Sequence, residues 1–341
     1  MTLGEKQEWH AIDFCKFICA IMVVAIHCPP LDDFSTILSF VLKNIFCRVA
    51  VPFFFIAAGF FFKNKINQRK KAVGYVSRLL ILYIIYTVIY MPLAWKLGWM
   101  NDLKTYIRKS IMIRSYIHLW FFVALIMAVI LLYFFVNQLH MTDKVLLFIA
   151  VILYIIGVIG NAYVTILPSD IQNNIWISAY YKYFETTRNG VFFGFPLVSI
   201  GYLIGKNKNK IYKCNYFKWT LLFFVGTLLE TLISVRWTGF SSRDVSFMLL
   251  PTSVSMFLWI AFIPVSRKAE FKAKRLRKLS TLIFAWQFIA IFGLEKCIQK
   301  FGVLVNSIEK YIIVIIVSVI ISEIILKLSQ YRYCAFLKYL Y

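Results

Sequence analysis

The sequence predicts an all-α fold, a polytopic membrane helical bundle, and three observations carry that reading. Hydrophobic residues make up 61% of the 341 and aromatic residues 18%, with a mean hydropathy of +0.75. A soluble domain is about 45–50% apolar, so the excess belongs on helices that face lipid on every side. Apolar segments recur from one end of the chain to the other, leaving no hydrophilic stretch long enough for a separate soluble domain. The charges, 38 Lys and Arg against 15 Asp and Glu for a net +23, gather between those segments rather than in a compact basic domain. That distribution points to anionic membrane lipid as the partner and to no nucleic acid.

A membrane span needs about 20 apolar residues. On that measure ten spans fall at 11–28, 44–62, 79–97, 118–138, 145–161, 189–205, 219–235, 246–265, 280–294 and 311–327, the fifth and ninth being short. The first apolar run ends Cys28-Pro29-Pro30 without a small-residue cleavage pattern, so it is expected to stay as the first helix. With alternating spans, the segments 63–78, 206–218 and 266–279 share one side with both termini, and they carry six, five and seven Lys/Arg. Lys6, Lys144 and the tail from Lys327 add to that side, which the positive-inside rule makes cytoplasmic. Segment 98–117 runs against the rule, since it places Lys104, Arg108, Lys109 and Arg114 outside. Its neighbour at 162–188 is rich in Tyr, as an interfacial aromatic belt would be.

The seven cysteines are odd in number, form no CxxC pair and sit mostly in or beside apolar segments. They read as small hydrophobes, so no disulfide framework and no metal site is expected. Walker A, GxSxG and HExxH patterns do not occur.

Ionisable groups are costly inside a bilayer, so each one there is a functional candidate. The first span carries Asp13, Lys16 and His27. Helical geometry puts Lys16 and His27 within about 20° of each other and about 16 Å apart along the axis. Asp13 lies one turn before Lys16, placed to pair with it. Imidazole suits proton transfer near neutral pH; the bland alternatives are snorkelling for the charges and helix packing for His27. Arg48 begins the second span ahead of Pro52, which deprives one carbonyl of its helical donor. Arg48 is therefore a candidate to hold an anion or carboxylate, or an interfacial anchor. His118 opens the fourth span, and Glu230 and Glu323 lie in the seventh and tenth, where pairing with a nearby base is the simpler role. Gln287 in the ninth suits a hydrogen bond between helices.

Asp13-Phe14-Cys15-Lys16 followed by Val23-Val24-Ala25-Ile26-His27, a basic residue, ten residues, then His, resembles the opening of the acyltransferase-3 family of membrane acyltransferases. Arg48-Val49-Ala50-Val51-Pro52-Phe53-Phe54-Phe55 with Ala58-Gly59-Phe60 resembles its second helix. Arg78-Leu79-Leu80, His118-Leu119-Trp120-Phe121 and Gly201-Tyr202-Leu203-Ile204-Gly205-Lys206 resemble later landmarks, over about residues 9–330. Tyr116-Ile117-His118-Leu119-Trp120-Phe121-Phe122 and Thr187-Arg188-Asn189-Gly190-Val191-Phe192-Phe193 resemble one branch more closely, the membrane half of the vancomycin-resistance serine racemases. The sequence departs from the family at Lys16, where Arg is common, at Ala58, where Ser is common, and at Gln287, where a His often stands.

The resemblance implies one integral membrane domain over 1–341, with no soluble racemase domain, in the plasma membrane of a bacterium. It implies acetyl-CoA or another acyl-CoA as cytoplasmic co-substrate, with no permanently bound cofactor, and a hydroxyl of a cell-envelope sugar as acceptor. Lys16 and Arg78 would hold the CoA phosphates, His27 would deprotonate the acceptor or carry the acyl group, and Asp13 would orient Lys16. Arg48, His118 and Trp120 would line the acceptor side. The racemase branch implies the other possibility, a transporter of a small amino acid such as serine. There Arg48 or Arg188 would take the carboxylate and Glu230 the amine.

Overall fold

A computed structural model describes residues 3, 9–238, 244–265 and 269–341; Lys6, Arg267 and Lys268, counted above among the cytoplasmic cations, lie outside them. The described residues form helices, and a helix stands at each of the ten places where a span is expected. Eight segments are long and apolar enough to cross a membrane: His10–His27, Thr36–Ile66, Arg69–Lys96, Trp120–Gln138, Asp143–Ala162, Tyr216–Arg236, Glu270–Phe301 and Ser307–Leu328. Two shorter apolar helices, Gly190–Lys206 and Leu249–Phe262, occupy the sixth and eighth places.

In chain order the helices are α1 (His10–His27), α2 (Thr36–Val41), α3 (Ala50–Ile66), α4 (Arg69–Lys96), α5 (Leu103–Met112), α6 (Trp120–Tyr133) and α7 (Asp143–Ala162). Then come α8 (Ser169–Gln172), α9 (Ile175–Phe184), α10 (Phe195–Lys206), α11 (Tyr216–Thr238), α12 (Leu249–Phe262), α13 (Glu270–Phe301) and α14 (Ser307–Leu328). Between α2 and α3 the chain winds first as a π-helix, Leu42–Phe46, and then as a 3-10 turn, Cys47–Val49. The irregular stretch ends at Val49, three residues before Pro52, whose missing N–H leaves the Arg48 carbonyl four residues back without its helical donor.

The ninth span is not short. The helix begins at Glu270, because Lys272, Lys274, Arg275, Arg277 and Lys278 are good helix formers that carry no apolar signal. At 1.5 Å per residue α13 is about 48 Å long, well over a hydrocarbon core of about 30 Å. Likewise α7 extends to both sides of the fifth predicted span, started by Thr142, whose hydroxyl accepts from the Val145 N–H. Segments 98–117 and 162–188, read as loops, contain α5, α8 and α9.

The chain divides into two compact units. The first comprises 1–54, 212–229 and 251–341; the second comprises 55–211 and 230–250. In the first unit α1 and α13 pack side by side and run parallel: Asp13 meets Arg277 near their starts, and His27 meets Phe288 further along. α14 runs antiparallel to α1, since Tyr311 donates to the Ile21 carbonyl and Ser307 bonds Asp33 beyond the α1 C-terminus. α11 and α12 are antiparallel, with Tyr216 stacked on Phe262 and Thr227 hydrogen-bonded to Thr252.

In the second unit α4 and α6 are antiparallel, through Tyr86 on Phe122 and Tyr90 on His118. α7 and α10 are antiparallel, through Lys206 with Asp143 at 2.6 Å and the Gly157 backbone beside Phe192. A close backbone crossing joins α3 to α10. A methyl group built on Gly59 would lie 1.9 Å from the Val198 carbonyl oxygen, and one on Gly201 would lie 2.1 Å from that of Ile56. Only glycine allows two helix backbones to approach this closely.

Candidate functional site

The α1 stripe expected from the sequence is the face that α13 covers. Asp13 is buried between two cations, Lys16 Nζ at 3.6 Å from Oδ1 and Arg277 Nη1 at 3.7 Å from Oδ2. The Lys16 pair is the one-turn spacing working as expected. Arg277 was legible only as a loop cation, because the apolar signal of the ninth span starts after it; the early start of α13 sets it opposite Asp13. One carboxylate against two cations leaves a net positive charge at this end of the stripe.

At the other end the half-buried His27 ring lies 4.7 Å from that of Phe288, tilted at 53°. His27 is the last residue of α1. On α13, Gln287 is fully buried and its amide N–H donates to the Phe284 carbonyl one turn back. The hydrogen bond thus stays within one helix rather than bridging two. Arg48, also in this unit, donates from Nη2 to the Asn44 side-chain oxygen at 3.3 Å.

The second unit holds Arg78, His118, Trp120, Arg188 and Glu230, and it brings only some of them together. Arg188 pairs with Asp244 at 2.6 Å, and its guanidinium lies 4.4 Å above the Trp120 ring. Both side chains of that pair are largely buried, at 17% and 20% exposure. Asn189 beside it caps the following π-turn, accepting from the Val191 and Phe192 N–H groups. His118 is buried, edge-on to Tyr90 at 4.9 Å and to Tyr116 at 6.1 Å.

Among the described residues Glu230 has no base as partner. Its carboxylate accepts from the Tyr163 hydroxyl and from the backbone N–H groups of Phe247 and Met248, each at 2.8 Å. It therefore caps the start of α12, where unsatisfied N–H groups attract an anion. Glu323, in the first unit, pairs with Arg275 at 2.7 Å, as the simpler reading had it. Arg78 is exposed on α4.

Asp244, Arg277, Tyr163 and Phe288 are the partners that sequence reasoning missed. Each lies far along the chain from the group it serves, and only the packing reveals it.

A family model described as an acyltransferase domain, of the acyltransferase-3 type, matches residues 9–327. An amino-acid racemase of Enterococcus faecalis is 29% identical over 284 residues, 82% of this chain and 38% of its own length. A serine/alanine racemase of Enterococcus gallinarum is 27% identical over 321 residues, 90% of this chain and 44% of its own. The chain spans less than half the length of these curated relatives. No solved structure matches it.

Proposed function

Because the chain belongs to the acyltransferase-3 family, we propose that it is a multi-pass O-acyltransferase of a bacterial plasma membrane. It moves an acyl group, acetyl in the first place, from cytoplasmic acyl-CoA to a hydroxyl of a cell-envelope sugar or similar acceptor. The carrying observation is the α1–α13 seam, with cations around Asp13 at one end and His27 at the other. The two ends are separated by about half the hydrocarbon thickness.

Lys16 and Arg277 meet the CoA phosphates as charge-assisted partners, and Asp13 holds both cations in place. Arg78, exposed on α4, is a second candidate for those phosphates. His27 removes the proton of the acceptor hydroxyl as its oxygen attacks the thioester carbonyl. The new C–O bond forms, the C–S bond breaks, and CoA leaves as thiolate to be reprotonated. Arg48 is the candidate acceptor contact in the first unit, and Trp120 with His118 in the second. Arg188 positions Trp120 through its stack, and Glu230 fixes the start of α12 rather than touching substrate.

Ten crossings with both ends in the cytoplasm are supported by helix direction. The first and ninth spans run parallel, and each antiparallel pair joins an odd to an even span.

A second reading, a transporter of a small amino acid such as serine, is favoured by the relatives, whose names give amino acids as substrates. One experiment separates the two. Inside-out vesicles receive labelled acetyl-CoA, with wild type and His27→Gln compared at equal folded yield. Transfer of label to a membrane or lumenal acceptor that is lost in His27→Gln is the expected result. Transfer at the wild-type rate in the variant overturns the role of His27. Neither transfer nor CoA release, with labelled serine accumulating under a gradient, selects the transporter.

A further inference from the structure

Segment 98–117 puts four cations on the side where the positive-inside rule expects few, and the structure shows where three of them go. Arg108 donates to the Tyr183 carbonyl at 3.1 Å and lies 5.3 Å from the Tyr183 ring centre. Lys109 and Arg114 both pair with Glu185, at 2.5 and 3.2 Å. These contacts tie α5 to the C-terminal end of α9. α5 is also anchored inward, where the Tyr83 hydroxyl of α4 bonds the Ser110 carbonyl and Tyr106 is buried. The Asp102 side chain caps its N-terminus through the Thr105 N–H.

The outward faces are apolar. On α5, Leu103, Ile107 and Ile111 recur at four-residue spacing and are 55%, 50% and 68% exposed. On α9, Ile175 and Trp176 are 76% and 80% exposed. A helix on a water-facing surface does the reverse, turning its apolar stripe inward. Exposed Lys104 and Lys182 flank the two stripes. An apolar face edged by lysines, with Trp and Tyr at its margin, is the composition of a helix lying in the headgroup layer of a bilayer.

We propose that α5 and α9, both within the second unit, form one platform seated in the lipid headgroup layer. Its Leu, Ile and Trp side chains enter the upper acyl region, and Lys104 and Lys182 meet lipid phosphates. The inference is independent of whether the protein transfers acyl groups or transports amino acids. Arg108, Lys109 and Arg114 are held within the platform by Tyr183 and Glu185, and one carboxylate against three cations leaves it net positive, a charge that suits lipid phosphates.

The test is the fluorescence of Trp176, isolated as wild type minus Trp176→Phe, with the full chain in nanodiscs. Lipids brominated high on the acyl chain are compared with unbrominated lipids, and aqueous iodide is added separately. The expected result is a quench of the Trp176 component of about two-fold or more by bromolipid, with little effect of iodide. Quenching by iodide alone puts α9 in water and overturns the proposal. Protection from both quenchers also overturns it, since a second copy or another protein then covers the face. Ile107→Trp in the Trp176→Phe background applies the same readout to α5, so a folding defect in one helix leaves the other measurable.

Discussion

Arg188 has the flat guanidinium that both its contacts require. One edge meets the Asp244 carboxylate at 2.6 Å while a face covers Trp120, and a lysine ammonium, a point charge with no flat face, does not make both contacts at once. Arg188→Lys is therefore expected to lie between wild type and Arg188→Ala in stability in detergent. A double-mutant cycle of Arg188→Ala and Asp244→Ala should give a coupling of about 1–3 kcal/mol, as residues sharing one interaction do. A coupling near zero, read from thermal unfolding midpoints, removes the pair from the structure's working contacts. At this scale the sequence was a partial guide. Asp13 and Lys16 were readable as partners because one helical turn fixes their spacing, whereas Arg277 and Asp244 were not, because nothing local links residues more than 50 positions apart. Glu230 shows the same limit: its carboxylate is engaged by Phe247 and Met248, whose N–H groups become donors only once α12 starts where it does.

Single helices bring out why certain family landmarks stand in this sequence. Gly59 and Gly201 belong to motifs noticed for their resemblance. Their place is the backbone-to-backbone crossing of α3 with α10, where an added methyl group meets a carbonyl oxygen at 1.9 or 2.1 Å. Such an oxygen is held by the main chain and has no room to give. Gly59→Ala and Gly201→Ala are expected to push the helices apart and to cut the yield of monodisperse protein sharply. Gly293→Ala is the control, because nothing lies within 4 Å of the added group; in a helix interior it should gain about 0.5–1 kcal/mol. Fluorescence-detected size exclusion of the three variants reads the difference, and equal profiles for Gly201→Ala and Gly293→Ala would contradict the crossing. Helix existence was legible because apolar runs of this length have one solution in a bilayer. Helix length was not, as α13 shows: six of its first ten residues are charged, and all ten are helical.

For the whole molecule the open quantity is how many helices cross. α12 has 14 residues, about 21 Å of helix against about 30 Å of hydrocarbon. Such a mismatch is met by thinning the bilayer or by flanking residues that reach outward, at modest cost. Its antiparallel packing on α11, from Tyr216 with Phe262 to Thr227 with Thr252, has the direction of a full return crossing. The native cysteines turn this into a measurement. Cys214, between α10 and α11, and Cys297, near the end of α13, are both exposed, while Cys15, Cys19 and Cys47 are buried. If α12 crosses, three crossings separate the two exposed thiols and they face opposite sides. If it does not, two crossings separate them and they share a side. An impermeant maleimide applied to intact cells should therefore label Cys297 and spare Cys214, with the pattern exchanged in inverted vesicles, each thiol being assigned from its serine variant. Labelling of both from one side would leave α12 as a helix that enters and does not span, and the cytoplasmic assignment of α13's basic start, with the phosphate-binding role given to Arg277, would have to be redrawn.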